Sequence, residues 1–358
     1  MLVFGKYRRP IKKNIAIAKD STSSLALQKL RSYLNAAEPE MVYFLVNTWN
    51  AQGKAITYKE LREALLKGDI DQEFLQQWHE DYAKFVKEHR EPAWINAMEA
   101  ATVETAKKYP DWNFDPFADG VRKWTETRAA EFVTNVSTTH IEGLMAVIKR
   151  AAVLEDMSVD QLSRAIRPMV GLTHQQSIAN LNYYNKLITS GMSEKKATDL
   201  SIRYSARQHR YRAYNIARTE LAFAYNQGSY LGIKQAQAAG YMGEAVKIWC
   251  TADDERTCEI CGALEGKAIA MDDEFGFNTK LSVATTPTIK MVPPAHPSCR
   301  CTTIYEEINP PEWVQQQNPN LLNDVASEKD DVPLASVPED YKISDDLKYT
   351  GPSTLGGT

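Results

Sequence analysis

The sequence predicts a mainly α-helical chain with a small C-terminal α/β module, α+β overall. Three observations carry this. Apolar residues recur at helical spacing over most of the stretch from about Ser24 to Gly240, as in Val42, Val46 and Trp49 or Leu61 and Leu65. Beyond Gly240, β-branched and aromatic residues replace helix formers, beginning with AVKIWC. All five cysteines lie between Cys250 and Cys301, four of them in two close groups, Cys258 with Cys261 and Cys299 with Cys301.

Composition sets the bounds. With 358 residues, 43% of them hydrophobic, the chain can bury two or three cores. A formal net charge of −4 argues against a protein that coats nucleic acid along its whole surface, although local basic patches stay open. No run of about eighteen apolar residues is present to span a bilayer, and the opening MLVFGKYRRPIKKNIAIAKD lacks a signal peptide's apolar core. A soluble protein made in the cytoplasm, without membrane contact, is expected.

In chain order, residues 1–20 form a basic arm, with Lys6, Arg8, Arg9, Lys12, Lys13 and Lys19 against Asp20. Such an arm can touch phosphate or an acidic neighbour, or simply be a solvated terminus. Residues 21–115 read as an N-terminal helical region. Thr57 and Glu60 have capping-box spacing, which predicts a helix from about Tyr58. Trp78, Tyr82, Phe85 and Val86 continue a helical stripe that ordinary core packing explains. YPDWNFDPFADG, Tyr109 to Gly120, breaks the helical pattern and places a subdomain boundary or bent connector there.

Residues 116–243 read as a helical domain. Ser158 with Gln161 and Thr173 with Gln176 repeat the capping-box spacing, Gly171 and Gly191 stand where helices can stop, and helices of about 12–18 residues are expected. At 100° per residue, Arg203, Arg207, Arg210 and Arg218 fall within an arc of about 80°, away from Ile202, Ala206, Ala213 and Ile216. This predicts an amphipathic helix with a cationic edge, interleaved with Tyr204, Tyr211 and Tyr214. The edge is a candidate contact for a partner protein or DNA through Arg203, Arg207 and Arg210; a solvated, salt-bridged face is the plainer alternative.

Residues 244–308 form the α/β module, and residues 309–358 an acidic, extended or partner-ordered tail. Within the module, two closely spaced pairs of soft ligands separated by a loop suit a tetrahedral zinc site, because a turn can aim residues i and i+3 at one ion. Five donors compete for four positions: Cys258, Cys261, His296, Cys299 and Cys301. Cys258, Cys261, His296 and Cys299 are favoured, with Cys301 in place of His296 as the alternative. Cys250 has no partner at short spacing and reads as a buried strand residue. A surplus of ligands points to a structural rather than a catalytic zinc, which keeps an open position. No Walker A loop, dinucleotide fingerprint, HExxH or GxSxG is present, so no catalytic residue is assigned. The acids Asp253, Asp254, Glu255 and Asp272, Asp273, Glu274 read as solvated surface.

Three segments in this order, NIARTELAFAYNQG at Asn215 to Gly228, KIWCTADDERTCEICGALEGK at Lys247 to Lys267 and PPAHPSCRC at Pro293 to Cys301, resemble the tailed-phage head morphogenesis family, the Mu protein F type of minor head protein. The resemblance covers roughly Gly171 to Ile304. It implies a structural, non-enzymatic virion component at the capsid interior or portal vertex, assembled in the host cytoplasm. The portal protein and the major capsid protein would be its partners, with DNA as a further contact during packaging or ejection. Cys258, Cys261, His296, Cys299 and Cys301 match the family's motif positions, and Arg218 and Glu220 match its Arg and Glu, for which an internal structural ion pair is expected. Two other functions remain compatible with the same residues: a zinc-supported nuclease of the HNH kind, with His296 as base, and a DNA-binding adaptor without chemistry.

Overall fold

The computed structural model describes residues 21–67, 72–151, 158–252, 254–277 and 288–309. The basic arm and the tail from residue 310 lie outside the described residues. Helix α1 runs Ser21–Ala55, α2 Tyr58–Lys67 and α3 Gln72–Phe85, followed by a π-helical turn Val86–Arg90. Then come α4 Glu91–Lys108, α5 Asp119–Ala151, α6 Val159–Ile166, α7 His174–Thr189 and α8 Glu194–Ala238. The break between α4 and α5 falls where the Pro- and Asp-rich segment predicts it. Beyond that break the expected length of about 12–18 residues does not hold for α5 and α8, which have 33 and 45 residues, or for α6, which has eight. Helix α1 has 35 residues and continues through Pro39, which gives up one hydrogen bond of the backbone ladder.

The chain divides into two compact units, neither of which is a single run of sequence. The helical unit takes residues 39–92 and 124–217, the sheet unit residues 21–38, 93–123 and 218–309 of the described chain. In the helical unit, Leu61, Leu65, Trp78, Leu144, Val147, Ile148, Leu162, Ile166, Leu181 and Tyr184 form one buried cluster. The three capping boxes close as their spacing requires: Thr57 with Glu60, Ser158 with Gln161 and Thr173 with Gln176 each exchange side-chain and backbone bonds. Gly171 adopts φ +92°, and a Cβ there would stand 2.5 Å from Trp49 Cγ, so this position needs both the backbone freedom and the missing side chain.

The apolar side expected on α8 is met at Ala213, which is buried, and not at Ile202. Ile202, placed on the apolar side, is 44% exposed, whereas Ser201, Ser205, Gln208, His209 and Arg212 are buried. The reason is a polar ladder to α7: Ser201 Oγ donates to Asn180 Oδ1 at 2.6 Å, and Asn180 Nδ2 donates to Gln208 Oε1 at 2.9 Å. Buried amides and hydroxyls that satisfy one another pack where an apolar stripe was expected. A second buried network joins Trp49, Tyr82 and His140. The Trp49 indole donates to Tyr82 Oη at 3.0 Å, and Tyr82 Oη lies 2.9 Å from His140 Nδ1. Arg212 donates to Gly171 O and Thr139 Oγ1 and covers the Trp49 ring.

The sheet unit packs a three-stranded antiparallel sheet and the second half of α8. Strand β1, Glu244–Cys250, lies between β2, Ala268–Ala270, and β5, Thr302–Asn309. Ile248 faces Ala268 on one side and Ile304 on the other. Short strands β3, Phe275–Phe277, and β4, Thr288–Lys290, form a separate ribbon. Tyr109, Trp112, Tyr230, Ile233, Met242 and Met271 make its larger core. Gly228 of α8 lies against α4, where a Cβ would come within 2.2 Å of Met98 Cα. Only hydrogen fits that crossing. Among the described residues no helix is long and apolar enough to cross a membrane.

Candidate metal centre

The first pair of donors is set by a six-residue helix, α9, Glu259–Leu264. Cys258 is its N-cap, and its sulfur accepts the Cys261 N–H at 3.4 Å. One helical turn therefore turns both sulfurs toward the same point. The strand before the pair is tied to the segment after it by Gly266 N–H donating to Trp249 O and Trp249 N–H donating to Lys267 O. Gly266, at φ +70°, makes that return.

The second group sits on a turn in which Cys299 N–H donates to His296 O at 3.1 Å. Pro297 occupies the first central position, and Ser298 the second with φ +59°, the signature of a type II turn. The turn brings His296 and Cys299 to one side as i and i+3. Cys301, two residues on, enters β5 at Thr302 and is buried beside Cys299.

The two groups meet. His296 Nε2 lies 3.1 Å from Cys258 Sγ and 3.2 Å from Cys261 Sγ, and Cys261 Sγ lies 3.7 Å from Cys299 Sγ. A tetrahedral ion with Zn–S of about 2.3 Å and Zn–N of about 2.0 Å needs donor separations of about 3.5–3.8 Å. Cys258, Cys261 and His296 form one grouping with mutual separations within 4.8 Å, and Cys261, Cys299 and Cys301 form another. These groups can hold a metal ion. Cys261, Cys299 and Cys301 are buried, while Cys258 and His296 are partly exposed. His296 Nδ1 is 2.9 Å from Pro297 O. A carbonyl only accepts, so Nδ1 carries the hydrogen, and in the neutral ring Nε2 turns a lone pair toward the sulfurs.

Electrostatics show what the thiols lack on their own. The Cys261 hydrogen bond, with help from His296, lowers Cys258 to about 4. Cys261 is raised, by its contacts with Cys258, Cys299 and Cys301 and by burial. Cys299 is lowered by Cys261 and Cys301; Cys301, drawn down by Cys261 but opposed by Cys299 and burial, ends raised. His296 is raised to about 9, chiefly by Cys258. Adjacent buried negative charges repel, so without a cation the four sulfurs oppose one another's ionisation. A divalent cation among them removes that opposition and lets every coordinating sulfur ionise.

Side chains outside the cysteine pattern brace the site. Thr219 Oγ1 accepts the Ser298 N–H at 2.8 Å. Asn226, fully buried, donates to Cys301 O at 3.2 Å and accepts from Thr302 Oγ1 at 2.8 Å. Arg300, between the last two cysteines, makes a two-pronged bond to Asp254 in the loop before Cys258. That pair holds the Asp254 carboxyl down at about 2. Asp254, expected only as solvated surface, thus braces the second donor group, and the sequence signal for Thr219 and Asn226 is their place in NIARTELAFAYNQG. Trp249 packs edge-on to Phe275, with centroids 5.1 Å apart, in the core beside the cysteines. Cys250 is buried in β1, as expected, with Ser23 Oγ 3.5 Å from its sulfur.

The arginines separate. Arg203 and Arg207 are exposed on α8, Arg207 about 5.9 Å from the Tyr204 ring; Arg210 is half-buried. Arg218 belongs to the sheet unit, where it makes an ion pair with Glu38 of α1 at 3.5 Å, both side chains largely buried. Glu220, expected to pair with it, is buried two residues further along α8. An acid distant in sequence was not visible from the motif alone.

Residues 157–304, about two fifths of the chain, match a family model described as Phage Mu protein F like protein. The segment is Mu F-like. It contains all five donors, Thr219, Asn226 and the Asp254–Arg300 pair, and the likeness read from the three motifs stands on it. Neither a curated protein nor a solved structure matches the chain.

Proposed function

We propose that this Mu F-like chain is a minor head protein of a tailed phage, associated with the portal and needed for head assembly and for DNA packaging or ejection. In this reading one structural zinc ion clips its sheet unit. The observation that carries it is that the family-matched segment contains five soft donors brought together from two distant turns. Cys258, Cys261, His296 and Cys299 hold the ion, with Cys301 in place of His296 as the alternative set. Zinc supplies a rigid cross-link between the turn after β1 and the turn before β5, and no turnover is assigned to it. Exposed Arg203 and Arg207, with Arg210 beside them, offer the contact for the portal protein or the major capsid protein, and DNA can use the same cations. The chain then resides in the virion, inside the capsid or at the portal vertex, after assembly in the host cytoplasm.

The structural role is favoured over the HNH-type nuclease by the commitment of His296. One ring nitrogen faces Pro297 O and the other faces two sulfurs, which leaves none to take a proton from water. Elemental analysis of the purified protein and of purified phage particles tests the proposal. About one zinc per chain, with the chain present in particles, is expected. A folded, metal-free protein absent from particles overturns it.

A further inference from the structure

The donor groups are not held alike. The His296–Cys301 segment passes Ser298 through a left-handed conformation that residues with a Cβ rarely adopt, and such a turn persists only where its surroundings over-determine it. Helix α8 supplies those surroundings at both ends of the Cys299–Cys301 run. Thr219 Oγ1 takes the Ser298 N–H at one end. Asn226 grips the other, with its amide N–H bonded to Cys301 O and its amide oxygen receiving Thr302 Oγ1. A further Asn226 Nδ2 bond to Ala222 O, at 2.9 Å, fixes the side chain against its own helix. The two α8 residues stand seven apart, two helical turns, so they project from one face and bracket the strand entry.

We propose that Thr219 and Asn226 are positioning residues that assemble the Cys299–Cys301 half of the metal site before an ion arrives. Loading then consists of closing the α9 pair, Cys258 and Cys261, around an ion held by this prebuilt turn, which already carries His296 beside Cys299. This rests on the metal reading above and specifies where its preorganisation comes from. Metal sites lose about 10–100-fold in affinity when residues that orient their ligands are replaced, and the same range is expected here.

The test has two arms on the full chain. In the metal-free protein, amide hydrogen exchange at Ser298 reads the half-site directly. Protection is expected in the wild type and in Thr219→Ser, and its loss in Thr219→Val, which keeps the shape but removes the acceptor. In the zinc-loaded protein, release to a chromogenic chelator is expected about tenfold or more faster for Thr219→Val and Asn226→Asp, with Thr219→Ser close to wild type. Thr219 is half-buried, so its variants remain informative if the Asn226 variant does not fold. Unprotected exchange at Ser298 in the metal-free wild type overturns the proposal, as does a serine variant that behaves like valine. If the wild type takes up no zinc, the metal reading fails, and the exchange arm alone still decides whether α8 builds the turn.

Discussion

Two buried histidines beside a buried arginine make the helical unit sensitive to acid at single-residue scale. His209 Nε2 lies 2.8 Å from Val170 O and therefore donates to it, and the ring is held down to about 4 by burial, with Arg212 adding repulsion. His140, stacked on Trp78 and bonded to Tyr82, is likewise lowered well below the usual imidazole range by burial, with Arg212 and His209 adding repulsion. Both imidazoles are neutral in the folded chain and take up a proton on unfolding below about pH 6.5. Stability is therefore fully present above that pH and falls as pH drops toward about 4, by about 3 kcal/mol for His209 alone. Urea midpoints measured at pH 7 and pH 4.5 should fall accordingly. His209→Gln, which retains an N–H for Val170 O, should flatten the dependence. Equal pH slopes in the two proteins would exclude His209 as the cause.

Element by element, helix ends and strands were legible because their signals are local. Capping boxes at Thr57, Ser158 and Thr173, the break after α4 and strand β1 each depend on residues a few positions apart. The polar seam of α8 was not, because its burial depends on which helix lies opposite, and Asn180 is 21 residues from Ser201. Likewise the α4–α8 crossing at Gly228 is set by Met98, far away in the chain. Gly228→Ala should destabilise the protein by about 1–3 kcal/mol, since the new methyl meets backbone atoms that cannot move aside. Gly262→Ala, in α9 with nothing within 4 Å of the added carbon, should be neutral or stabilise by up to about 1 kcal/mol. Denaturant titration of the two variants gives the comparison. A loss at Gly228 no larger than the effect at Gly262 would show that the crossing is looser than described.

For the molecule as a whole, cysteine and histidine spacing revealed the site's donors, while its supports came from elements remote in sequence. Asp254 reaches Arg300 across 46 residues, and Thr219 reaches Ser298 across 79. If zinc clips the sheet unit, stripping it with a strong chelator should reduce amide protection along β1 and β5 and lower the thermal midpoint, both restored by added zinc. Unchanged protection in the stripped chain would mean that the core around Trp249 and Phe275 suffices alone. The five donors also carry an uneven genetic consequence. Replacing Cys258, His296, Cys299 or Cys301 leaves one three-membered grouping intact, whereas replacing Cys261 dismantles both. Serine scanning followed by zinc quantification should therefore find the largest loss at Cys261, smaller losses at Cys258 and Cys299, and the smallest where His296 and Cys301 can stand in for each other: redundancy at the periphery, fragility at the hub.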